Sequence, residues 1–182
     1  LNFDGVDDYV AVGTASGVDN NISTYSAWIY QKDFGPQGLV LTTGSGATPH
    51  AHFYTVGNSS NFRVEFGYNF SGSTYVATTP ANSISPNNWY HIVAVYDRTS
   101  TTNQASIYVN GVSVGSPDTT PTGSALTGSN AVNIGSYIAP SLYFNGSIDE
   151  VRIYNRALSA SEVKTLYQSG SVKLKQPSNL GL

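Results

Sequence analysis

The sequence contains no cysteine and no methionine. Without Cys there are no disulfides, no thiolate metal sites and no Cys nucleophile. With no Met anywhere and Leu1-Asn2-Phe3 at the start, the expectation is a fragment or processed product of a larger protein. Charge is scarce too. Only 10% of the residues are charged, against about 25% in ordinary soluble domains. Eight Lys and Arg stand against eleven Asp and Glu, net −3, which leaves no basic footprint for nucleic acid. No apolar run approaches the ~18 residues of a membrane-spanning helix, so membrane insertion is not expected. Low net charge with 12% aromatics, 13 of them Tyr, also argues against disorder. The 182 residues suit about one domain, large enough to bury a core unaided.

What is present is alternation. Period-2 apolar patterning with β-branched and aromatic residues predicts strands at Tyr25–Tyr30, Gly38–Thr43, His52–Val56, Phe62–Tyr68, Thr74–Thr78 and Trp89–Tyr96. In the fourth of these, Phe62, Val64, Phe66 and Tyr68 share a face. Ala105–Val109 and Val112–Gly115 flank Asn110-Gly111, the dipeptide that type I′ hairpins favour because both central residues need positive φ. Val132–Gly135 and Gly146–Tyr154 complete the set, with turn-rich spacers at 42–49, 80–88, 97–103 and 116–130. Strands without interleaved helices predict an all-β, two-sheet antiparallel sandwich of the jelly-roll type. One short C-terminal helix is expected from Leu158 to Tyr167, capped by Ser159 with Glu162 three residues on and stopped by Gly170. Ser171 to Leu182 then reads as a linker.

Three segments carry a resemblance. They are Leu1-Asn2-Phe3-Asp4-Gly5-Val6-Asp7-Asp8-Tyr9-Val10; Trp89 to Asp97 followed by Tyr108-Val109-Asn110-Gly111; and Phe144-Asn145-Gly146-Ser147-Ile148-Asp149-Glu150-Val151-Arg152-Ile153-Tyr154 running on to Ser159 and Glu162. In this order and spacing they resemble LamG-like jelly-roll domains of the concanavalin A-like lectin/glucanase superfamily, over residues 1–168. The resemblance implies two curved antiparallel sheets and an extracellular binding or adhesion module. Such domains usually open with a Gly-Leu-Val-x-Tyr-Trp-x-Phe strand that has no counterpart before Leu1, whereas Asn179-Leu180-Gly181-Leu182 looks like its beginning. The expectation is a tandem array, with residues 169–182 a linker or the start of a following repeat. An edge lacking its first strand could then be filled by strand addition.

Catalysis is not expected. A retaining glycosidase needs two carboxyl groups about 5–5.5 Å apart. Only Glu65, Glu150 and Glu162 are available as Glu; Glu65 has no carboxylate two residues away, and the adjacent Asp149 and Glu150 would point to opposite faces. A distant pair, Glu65 with Asp97, is the remaining option. For a metal, the cluster Asp4, Asp7, Asp8 with Asp149 offers the hard oxygens calcium takes. The resemblance implies a structural calcium held by Asp149 and a carbonyl of the Asp4-Gly5 turn. The alternative is that Asp4 and Asp7 merely cap a tight turn.

For a ligand, sugar rings stack on exposed aromatics. Trp28 and Trp89 lie inside strongly apolar strands and read as core. Tyr54, Tyr68, Tyr75, Tyr137 and Tyr143, at strand ends or in polar loops, are the candidates, since Tyr tolerates half-burial with a wet hydroxyl. His50 and His52 share a face and read as a polar, sugar-contacting pair, with a metal site as the alternative. The expectation is therefore a non-catalytic carbohydrate-binding or adhesion module of a secreted or cell-surface protein, bacterial in style. A structural repeat of a surface fibre and a degenerate glycoside hydrolase are the other readings.

Overall fold

A computed structural model describes residues 1–14, 22–33, 38–45, 48–58, 61–70, 73–100, 104–114, 131–137 and 141–175. Twelve strands precede one helix in these residues: β1 (Asn2–Asp4), β2 (Val10–Thr14), β3 (Ile22–Gln31), β4 (Gly38–Ser45), β5 (Thr48–Asn58), β6 (Asn61–Phe70), β7 (Ser73–Thr78), β8 (Trp89–Asp97), β9 (Ala105–Val109), β10 (Val112–Ser113), β11 (Ala131–Ile134), β12 (Asn145–Tyr154) and α1 (Ala160–Lys175). They form two antiparallel six-stranded sheets. Sheet I has the order β1-β12-β3-β8-β9-β10, and sheet II the order β2-β11-β4-β5-β6-β7. The chain is the expected all-β jelly-roll sandwich with one C-terminal helix.

Alternation decides what each strand buries. On β6, Val64, Phe66 and Tyr68 enter the core between the sheets and Phe62 packs against it, while Arg63 and Glu65 take the other face. Across the sandwich Tyr25 tilts against Phe66 at 5.5 Å, and Tyr96 stacks on Tyr68 at 4.5 Å and 14°. β8 has no polar face: Ile92, Ala94 and Tyr96 fill the main core, and Val93 and Val95 join a second cluster with Leu158, Val163 and Leu166 under α1. Burial on both faces explains the unbroken apolar run of that strand.

The predicted hairpin is present, with Asn110 at φ 51° and Gly111 at φ 77°. So is the capping box: the Glu162 amide donates to Ser159 Oγ at 3.3 Å, and the Ser159 amide donates back to Glu162 Oε2 at 2.8 Å.

Four expectations change. Gly170 does not stop the helix, which runs on to Lys175, so the linker expected over 169–182 is helical over its first seven residues. The reason is packing: a Cβ on Gly170 would overlap the Trp28 indole, so this glycine lets α1 lie close against sheet I. Trp28 is accordingly buried, stacked on Tyr167 at 5.7 Å and beside His91 at 5.2 Å. The spacer expected over 42–49 shrinks because β4 and β5 extend until Ser45 pairs with Thr48. In β12 a bulge sets Asp149 opposite Trp28 and Arg152 opposite Ser26, with Glu150 at φ 48°. Asp149 and Glu150 therefore do not simply alternate, and Glu150 lines a cavity with Trp28, His91 and Arg152 on the helix side. Finally, β1 and β2 are strands beyond those the sequence predicts. The spacer at 116–130 lies outside the described residues.

Candidate functional site

The outer face of sheet II gathers the polar side chains that β5 and β6 turn away from the core. His52 and Tyr54 flank the buried Phe53 on β5, and Arg63 and Glu65 flank the buried Val64 on β6. The register sets Tyr54 opposite Glu65 and His52 opposite Gly67. Arg63 Nε donates to Glu65 Oε1 at 2.6 Å, and Tyr54 lies directly across the strand pair from Glu65. Burial, with Glu65 adding to it, pushes the Tyr54 phenol well above its ordinary value, so it stays a neutral donor.

His52 lies across Gly67, where a Cβ would overlap its ring. Its ring stands 5.1 Å from that of Tyr54. Burial pulls the imidazole down to about 4, against a smaller opposing pull from Glu65. Its Nδ1 is buried with no hydrogen-bond partner among the described residues.

The segment between β11 and β12 closes the arrangement. The Gly135 amide donates to Val40 O at 3.2 Å, the Leu39 amide to Leu142 O at 3.3 Å, and the Tyr137 amide to Ser141 O at 3.0 Å. Asn133 Nδ2 donates to Tyr137 O at 2.9 Å. These bonds hold Tyr137 and Leu142 over the strands and leave a cavity of about 190 Å³ lined by Leu39, His52, Tyr54, Tyr137 and Leu142. Two aromatic and two aliphatic walls with an imidazole and a phenol are the usual make-up of a small-ligand site.

Three of the expected ligand residues, His52, Tyr54 and Tyr137, thus meet in one cavity. Others do not join them. Tyr68 faces the core and stacks on Tyr96, so its candidacy is corrected. His50 is buried at 2% exposure. Tyr143 is half-buried and lies outside the cavity lining. Tyr75 pairs with Tyr68 in register, and its side chain is outside the described residues. A larger cavity of about 310 Å³ at the start of α1, lined by residues such as Arg156, Leu158 and Glu162, includes none of the expected ligand residues.

Among the described residues, Glu65 has no second carboxylate beside it on its strand or on the two strands it pairs with. The same-face neighbours of Glu65 along and across the strands are Arg63, Gly67, Tyr54 and Thr78. Asp97 lies on β8 in the other sheet. Glu65, considered from sequence only as half of an acid pair, instead pairs with Arg63. Leu39, Leu142 and Gly67 were missed. A lone glycine in an alternating strand was the available signal for Gly67, since it marks a close approach.

The expected metal set is rearranged. The carboxylates of Asp4, Asp7 and Asp8 lie within 4.8 Å of one another and are exposed. Two of them serve the turn: Asp4 Oδ1 accepts from the Val6 amide at 2.8 Å, and Asp8 Oδ2 from the Asp4 amide at 3.1 Å. Gly5, at φ 81°, packs on Asn145 where a Cβ would collide. Asp4 pairs with Asn145, four residues along β12 from Asp149, a separation of about 13 Å at the usual strand rise. Asp149 instead accepts the Glu150 amide at 2.8 Å.

Comparison with known proteins follows the same lines. Residues 4–164 match the sequence model of a family described as the concanavalin A-like lectin/glucanases superfamily. No curated protein matches the chain. Among solved structures, the native heptameric SAP-like pentraxin of Limulus polyphemus superposes with a TM-score of 0.68 at 15% identity, covering 91% of this chain and 80% of that one. The CBM40 of the Ruminococcus gnavus IT-sialidase gives 0.67 at 16% identity, with 92% and 98% covered. A Trypanosoma rangeli sialidase gives 0.67 at 21% identity, and there the chain covers 94% of itself but 27% of the enzyme. At these identities the likeness is one of fold.

Proposed function

We propose that this chain, which belongs to the concanavalin A-like lectin/glucanase superfamily, works as a non-catalytic carbohydrate-binding module of a larger secreted or cell-surface protein. The observation that carries the reading is the cavity on the outer face of sheet II, where Tyr54, Tyr137 and His52 line one space and the Arg63–Glu65 pair stands across from Tyr54. Aromatic walls offer stacking surface for a sugar ring, and the neutral imidazole offers a hydrogen bond to a hydroxyl. The CBM40 of similar fold has been solved bound to α2,3-sialyllactose. Glu65 without a second carboxylate among its strand neighbours supports the non-catalytic part.

A glycan array probed with the folded module tests the reading. Binding that is lost in Tyr54→Ala and Tyr137→Ala, with folding retained, supports it. Binding by the wild type that survives both substitutions overturns the site assignment.

A calcium ion forms the second part of the proposal. Asp4, Asp7 and Asp8 supply clustered hard oxygens of the kind calcium prefers. The ion would be held there, without Asp149, and would tie the β1–β2 turn together.

A further inference from the structure

We infer that the glycan taken by the sheet II site is uncharged, a neutral hexose or N-acetylhexosamine residue rather than a sialic or uronic acid. The inference rests on the carbohydrate-binding reading and deepens it.

Charge is scarce on the sheet that bears the site. From residue 34 to residue 96 the chain carries two charged side chains, Arg63 and Glu65, and residues 9–14 and 131–148 carry none. Those stretches contain every strand of sheet II. The sheet that bears the site therefore holds one cation and one anion, and the two are paired at 2.6 Å. The charges of the domain sit elsewhere, among them Asp97, Asp149, Glu150 and Arg152 on sheet I and Glu162 and Lys164 on α1.

Recognition of a sugar carboxylate calls for a free guanidinium or ammonium, because an anion moved out of water needs a charged partner to replace its hydration. Arg63 is committed to Glu65, and an incoming carboxylate would meet the Glu65 anion at the same point. A neutral sugar meets no such penalty. Its hydroxyls need donors and acceptors, which the phenols of Tyr54 and Tyr137 and the imidazole of His52 provide. The paired charges keep a role: Arg63 holds the Glu65 carboxylate in place across from Tyr54.

The test compares neutral and acidic glycans on the wild-type module, on Glu65→Gln and on the double variant Arg63→Gln/Glu65→Gln. The probes are a glycan array followed by calorimetry with the best neutral hit and with α2,3-sialyllactose, at low and high NaCl. The wild type should bind neutral glycans, ignore sialylated and uronic ones, and hold its Kd within about twofold across the salt range, since no net charge is engaged. Glu65→Gln keeps the size of the side chain and leaves Arg63 uncompensated. It should gain affinity for the acidic probe by up to about fivefold, the size expected for one exposed ion pair, and lose that gain at high salt. The double variant, again without net charge, should return to the wild-type selectivity. If Glu65→Gln does not fold, the wild-type salt series and the double variant still decide. A wild type that prefers acidic glycans with salt-sensitive affinity overturns this inference and leaves carbohydrate binding standing. A wild type that binds no glycan of either kind removes both.

Discussion

Acid should unfold this domain earlier than its few carboxylates suggest, through two histidines. His52 and His91 are each held neutral by burial, which lowers both from 6.5 to about 4. His91 is the cleaner case. It is 2% exposed, lies beside the Trp28 and Tyr167 rings, and shares a hydrogen bond with Ser26 Oγ at 2.9 Å. Because the folded value lies below the unfolded one, the unfolded chain binds more protons between pH 6.5 and 4. Stability from this group is therefore complete above pH 6.5 and falls as the pH drops toward 4. Linkage with these values gives a loss of about 2 kcal/mol by pH 5 and about 3 kcal/mol at the full extent. That is a large share of the roughly 5–15 kcal/mol that holds a domain folded. Urea unfolding at a series of pH values between 7 and 4.5 measures it. The wild type should lose stability steadily, and His91→Gln, less stable at pH 7 for want of the ring contacts, should show a shallower slope. A slope unchanged by the substitution would refute the assignment of the acid sensitivity to His91.

Gly67→Ala should push the His52 ring out of the cavity wall, lowering glycan affinity at least tenfold at a stability cost of about 1 kcal/mol; unchanged affinity by calorimetry would count against the site. Gly170→Ala should force α1 away from the Trp28 indole, with a cost of about 1–3 kcal/mol in thermal or urea unfolding and a red shift in Trp emission as the ring becomes wet. An unaltered emission spectrum would show that the close approach is not needed. Chelation should lower the Tm of the wild type, and Asp7→Asn should abolish that response while Asp149→Asn leaves it intact. Equal sensitivity of the two variants would point to a different ligand set.

Much of the sandwich was legible because alternation is a local signal. Strands β3 to β7, β9 and β12 follow runs whose odd and even residues differ in polarity, β8 is an apolar run of strand length, and Asn110-Gly111 announced its hairpin. The same alternation placed Tyr68 with Val64 and Phe66, so its core position was readable and its candidacy as a ligand residue ran against the pattern. His52 and Tyr54 were readable as a shared face of β5, set off by Phe53. What no local pattern carried was long-range pairing. Tyr137 reaches the cavity only because the segment after β11 is tied back to β4 by the Gly135–Val40 and Leu39–Leu142 bonds. Gly170 carries the common signature of a helix end, and only the Trp28 ring packed on it shows that its missing Cβ serves helix docking. The bulge at Asp149–Arg152 likewise depends on pairing with β3, which the residues of β12 alone do not reveal.

The central claim is that the module binds glycan on sheet II. It is tested most directly by titrating ¹⁵N-labelled protein with a neutral glycan drawn from the array and mapping the amide shifts. The account predicts perturbations that saturate together at Leu39, His52, Tyr54, Glu65, Tyr137 and Leu142, with α1 and its neighbours on sheet I unmoved. Shifts confined to α1 and the Glu150–Arg152 side of sheet I, with sheet II silent, would contradict it.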